Sequence, residues 1–103
     1  MFGDLGKIMK IVGEMKRKMP EMKERLANTE HTAEAGGGVV QATVNGRLQL
    51  TDMKFSEQLL TDGDLSLDML EDLVKAAISS AQAKAAQAAE EAMKELTGGM
   101  DIP

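Results

Sequence analysis

The densest set of side chains able to do chemistry lies near the start of the chain. Lys7, Lys10, Lys16, Arg17, Lys18, Lys23 and Arg25 stand there among four acids, Asp4, Glu14, Glu21 and Glu24. Clustered ammonium and guanidinium groups suit sequence-independent contact with nucleic-acid phosphates, which needs positive charge and no base-reading pattern. The competing reading is an ordinary solvated face, or one turned toward Glu90, Glu91 and Glu95 near the other end of the chain. Beyond residue 27 there are five bases and thirteen acids, and the whole chain carries −5. An acidic total argues against nucleic acid. Phe2 and Phe55 are the only aromatics, so stacking on unpaired bases has little to work with. Charge alone favours the solvated face.

Other chemistries find weaker footing. His31 is the single imidazole and has no motif around it, so a surface or sheet-edge histidine is the better reading. Gly36-Gly37-Gly38 does not form a phosphate loop, because Val39-Val40 follow where Gly-Lys-Ser/Thr and a helix would be required. Asp62, Asp64, Asp68, Glu71 and Asp72 lack the spacing of a calcium loop and read as a solvated helix start. With no cysteine there is no disulfide frame, zinc knuckle or iron–sulfur site. These absences predict no catalytic residues, no metal site and no cofactor. No apolar run is long enough to span a membrane, and Met1-Phe2-Gly3-Asp4 is not a secretory start. A soluble, cytoplasmic protein is expected.

The elements that must carry the basic cluster follow from periodicity. Leu5, Ile8, Val12, Met15, Met19, Met22 and Leu26 alternate in steps of three and four, an apolar heptad seam on a helix over 5–27. Pro20 interrupts the seam without changing its phase, which predicts one kinked helix. Met9 and Ile11 widen the stripe near the start, so the helix is expected to meet the body of the fold there. Lys16 and Lys23 fall at e and Lys18 and Arg25 at g, which sets like charges against each other in a simple parallel zipper.

Residues 29–55 alternate as three strands. Asn45-Gly46 signals a two-residue type I′ hairpin, and the change of parity between Leu48-Leu50 and Met53-Phe55 suggests a bulge near Thr51-Asp52. Residues 66–97 are helical, with Asp64 or Ser66 as cap and Leu67 to Ala81 giving a broad buried face. From Ala81 the side chains shrink, a segment expected to be helical while packing on little. Gly98-Gly99 ends it, and 98–103 reads as a loose tail. The result is an α+β single domain over 1–103: a long N-terminal helix, a three-stranded antiparallel meander and a long C-terminal helical segment. So small and aromatic-poor a core, with a long exposed seam, predicts a homodimer.

Several blocks together resemble the YbaB/EbfC family of bacterial nucleoid-associated proteins. They are Met1-Phe2-Gly3-Asp4-Leu5-Gly6-Lys7-Ile8-Met9-Lys10, Glu34-Ala35-Gly36-Gly37-Gly38-Val39-Val40, Thr43-Val44-Asn45-Gly46, Met69-Leu70-Glu71-Asp72-Leu73-Val74-Lys75-Ala76-Ala77 and Thr97-Gly98-Gly99-Met100, in order across nearly the whole chain. The resemblance implies a tweezer-like homodimer that binds double-stranded DNA with little sequence specificity, and that contributes to nucleoid organisation and gene regulation. It implies a nucleoid-associated location, no catalytic motif, and DNA contact through projecting helices. On electrostatic grounds the candidate contacts are Lys7, Lys10, Lys16, Arg17, Lys18, Lys23, Arg25, Lys84 and Lys94. Lys16-Arg17-Lys18 stands where many relatives carry a Gln-rich helix. The alternative function is a protein-interaction accessory module that holds a helix of a replication or recombination protein in the Met-rich groove.

Overall fold

The computed structural model describes residues 2–61 and 63–98, with side chains from Asp4 onward. Helix α1 (Phe2–Asn28) runs unbroken through Pro20. It ends where the Thr29 hydroxyl donates to the Arg25 carbonyl (2.7 Å) and the Thr29 N–H to the Leu26 carbonyl (3.1 Å). Three strands follow, β1 (Glu30–Ala35), β2 (Val40–Asn45) and β3 (Leu50–Phe55), then a single turn α2 (Gln58–Thr61) and the long helix α3 (Leu67–Leu96). Ser66 caps α3, its hydroxyl accepting from the Met69 N–H at 3.1 Å. Such a cap contributes about 1 kcal/mol. The loose tail assigned to 98–103 lies, beyond Gly98, outside the described residues, as does Asp62 of the acidic run.

The sheet is an antiparallel meander in the order β1-β2-β3. Gly36, Gly37 and Gly38 all take positive φ in the β1–β2 connection, a run of left-handed backbone that other residues resist. The expected parity slip is a real bulge. Asp52 pairs with Thr43 and Leu50 with Val44, leaving Thr51 as the extra residue, its hydroxyl donating to Glu30 Oε2 at 2.8 Å. The bulge returns Leu50 to the face that carries Met53 and Phe55. The opposite face is polar, with the Thr32 and Thr43 hydroxyls bonded across the strands at 2.9 Å.

The second hairpin is not the two-residue type I′ turn. Leu48 N–H donates to the Asn45 carbonyl and Asn45 N–H to the Gln49 carbonyl, both at 3.0 Å, and the positive φ falls on Leu48 (65°). This is a three-residue loop with a left-handed residue closing it. Asn45 acts through its side chain: Oδ1 accepts from the Arg47 and Gln49 N–H groups at 2.9 and 3.1 Å. Gly46 is needed for another reason, since a Cβ there would collide with the Leu26 carbonyl at the end of α1. Gly46→Ala is expected to cost about 1–3 kcal/mol by overpacking this junction. A thermal melt lowered by several degrees, with α1 partly undocked, would register it.

The core lies between the sheet and α3. Val40, Ala42 and Val44 of β2 are completely buried, as are Ala77 and Ala81, with Ala85 at 1% exposure and Ala33 at 5%. Ala77, Ala81 and Ala85 recur every fourth residue on one helix face. Their small side chains let the helix lie close upon β2. The expectation that the helix packs on little from Ala81 onward is therefore corrected: Ala81 and Ala85 are core residues, because close approach replaces side-chain bulk.

Past the sheet, α3 continues alongside α1 as a two-helix stalk. The molecule measures 71 × 25 × 16 Å with a radius of gyration of 20.0 Å, where a compact chain of this length would have about 13 Å. The site at which α1 meets the body is also corrected. Met9 is 68% exposed, whereas Met22 is 7% exposed and shares a groove with Leu26, Ala27, Gly46, Ala89 and Met93. The helix docks by its C-terminal end, because the chain must pass directly from Asn28 into β1 while Gly46 meets Leu26.

Candidate nucleic-acid interface

All seven cations of α1 are exposed. The helix that carries them is held from its middle to its C-terminal end. Its last turns pack on α3 and the β2–β3 loop, and its middle meets the end of α3, where Ile11, Glu14, Met15 and Lys18 lie beside Glu95, Leu96, Thr97 and Gly98. The turns before that stand clear. A Cβ added at Gly6 or Gly13 would meet nothing within 4 Å, and Leu5, Ile8 and Met9 are more than half exposed.

The fold divides the basic residues into groups. Lys18 and Arg25, at the g positions, line a groove with Glu21 and with Glu95 of α3. That flank faces acid, as the competing reading of the charge pattern expected. Lys16 and Lys23, at e, border an open apolar groove formed by Val12, Met15, Met19 and Pro20. Lys7, Lys10 and Arg17 occupy other parts of the same exposed helix. Steps of 100° per residue spread Lys16, Arg17 and Lys18 over more than half the helix circumference.

Lys84 and Lys94 are placed elsewhere. Lys84 Nζ donates to the Thr32 carbonyl of the edge strand at 2.8 Å, anchoring α3 to the sheet. Lys94 lies 3.9 Å from Glu90 one helical turn away, an exposed pair of little weight. Lys84 is thus tied to the sheet, while Lys94 precedes Glu95, which lines the groove with Lys18 and Arg25. His31 sits half-buried on β1 opposite Val44, on the face toward α3, and its Nε2 is enclosed without a hydrogen-bond partner. Among the described residues no group of three His, Asp or Glu could hold a metal ion. Nor is any described helix long and apolar enough to cross a membrane.

The fold is thus a small three-stranded sheet that carries a charged two-helix stalk. The chain belongs to the YbaB/EbfC DNA-binding family, whose profile matches residues 1–100. That family is not an enzymatic one. The chain is 38% identical over 100 residues to a nucleoid-associated protein of Gemmatimonas aurantiaca, covering 97% of this chain and 94% of that one. It is 35% identical over 101 residues to a nucleoid-associated protein of Clostridium acetobutylicum, covering 98% and 88%. Its fold is similar to the crystal structure of an uncharacterized protein, HP0035, from Helicobacter pylori. The TM-score is 0.55 at 27% identity, over 82% of this chain and 92% of that one.

Proposed function

We propose that this protein binds double-stranded DNA with little sequence preference through the exposed faces of α1, as a homodimer, and so contributes to nucleoid organisation and gene regulation. The observation that carries this reading is a helix bearing seven exposed cations, its first turns standing clear of the body. Such a helix can lie against a duplex without rearranging the core. The acidic body repels phosphate, so attraction is confined to the stalk and depends on salt. Contacts to phosphate oxygens position a protein without reading bases.

The dimer reading rests on β3. Strands lie about 4.8 Å apart and a helix is about 10 Å wide, so α3 lies over β1 and β2 and leaves β3 largely uncovered, with Met53 its residue packed against the core. Leu50 and Phe55 are 48% and 50% exposed. Phe55 borders an open apolar groove of about 410 Å³ together with Leu59, Leu60, Leu65, Leu67 and Leu70. A free strand edge next to an apolar patch invites a second strand. Antiparallel pairing of two β3 edges about Met53 sets Asp52 against Lys54 of the partner subunit, a self-complementary arrangement suited to a twofold axis.

Retardation of duplex DNA by the purified protein across a salt series tests the DNA reading. Affinity should fall linearly on logarithmic axes, with a slope of about −0.9 per phosphate neutralised. Sequence-scrambled duplexes of equal length should bind alike. Binding insensitive to salt, or none at low salt, would overturn it.

A further inference from the structure

Among the described residues, the first turns of the α1 seam have no partner, and only the Met15 flank of the seam above Met19 meets the end of α3. Leu5, Ile8 and Val12 are 55%, 56% and 44% exposed, although they continue the heptad register of the buried Met22. Below them Val12, Met15, Met19 and Pro20 line an open groove of about 510 Å³, bordered by Lys16 and Lys23 and by no acid. The stripe from Leu5 to Met19 is about 21 Å long, four turns of helix. Contiguous exposed apolar surface of this kind marks an interaction site more often than bare solvent.

We propose that this stripe docks an acidic amphipathic helix of a protein partner. Apolar knobs spaced three and four apart accept a facing helix by interdigitation, and methionine side chains adapt to its shape. The flanking charges select the partner's sign. Another copy of α1 laid in parallel would set Lys23 against Lys18 of the partner subunit and is repelled there, whereas a helix with Glu beside its apolar seam is attracted by Lys16 and Lys23 on the same edge. DNA engages cations, whereas the apolar stripe itself offers phosphate nothing. The docking surface is therefore separable from the DNA surface by mutation.

The experiment uses the full chain and two labelled synthetic peptides of about 18 residues, long enough to cover the stripe at 1.5 Å per residue. Both carry Leu at a and d. One has Glu at e and g, the other Lys. Fluorescence anisotropy should show saturable binding of the Glu peptide and at least about tenfold weaker binding of the Lys peptide. Leu5→Gln with Ile8→Gln should abolish Glu-peptide binding while leaving helicity, sedimentation and DNA retention unchanged. Lys10→Glu with Arg17→Glu should do the reverse, weakening DNA retention and sparing the peptide. Equal binding of both peptides, or of neither, overturns the proposal. So does dissociation of the protein's own oligomer by the Leu5 and Ile8 changes, which would show that a second copy covers the stripe.

Discussion

Changing Lys16, Arg17 and Lys18 together to Glu should abolish retention of duplex DNA while the protein stays folded. All three side chains are exposed. Occupying e, f and g, they span more than half of the helix circumference, so a duplex lying against that arc meets an anion where a cation stood. Each phosphate contact removed also removes its share of counterion release, and the new carboxylates repel the backbone. In a dimer the change acts on both arms. A loss of at least about a hundredfold at moderate salt follows from two lost contacts. The control is Lys94→Glu, placed on the acidic end of α3 beside Glu90, which should alter retention only a few-fold. Fluorescence-detected retardation reads both, and circular dichroism checks the fold. Unchanged retention with an unchanged salt slope in the triple variant would make the basic helix a merely solvated face.

Placing charge on the bare β3 patch should give the second large effect. Phe55→Glu with Leu67→Glu alters two side chains that are 50% and 77% exposed in the single chain, so the core between α3 and β2 is untouched. In the proposed dimer the same positions are buried, and an unpaired carboxylate there is far costlier than at a wet surface. Sedimentation at micromolar concentration should change from twice the chain mass to the chain mass. The apparent melting temperature of the wild type, but not of the variant, should rise with concentration. DNA affinity should fall by about a hundredfold as well, because one arm loses the effective concentration supplied by the other. A variant that still sediments at twice the chain mass would place the interface elsewhere.

The local structure of this chain was legible in its residues wherever a short-range rule operates. The steps of three and four from Leu5 to Leu26 specify a helix through Pro20, because the seam keeps its phase across the proline and one missing N–H does not break so long a register. A cap at Asp64 or Ser66, the glycine connection at 36–38 and a bulge near Thr51-Asp52 were legible too, each depending on its own side-chain geometry or parity, and the structure selects Ser66 and Thr51. The full-length block pattern carried the family. What tertiary structure alone decided were the choices between equivalent local options. Asn45-Gly46 satisfies the type I′ pattern, yet the loop takes its positive φ at Leu48, because Gly46 is needed where the hairpin meets the Leu26 carbonyl. The alanines from Ala81 onward looked too small to pack, yet close approach to Val40, Ala42 and Val44 turns that smallness into the core. The widening of the seam at Met9 and Ile11 pointed to the wrong end as the anchored one. Docking through Met22 buries one end and leaves Leu5, Ile8 and the cations around them in solvent. Periodicity specifies faces because it acts within a turn or two of chain. Which face is covered, and by what, depends on contacts between residues distant in sequence, and those exist only once the sheet and both helices have come together.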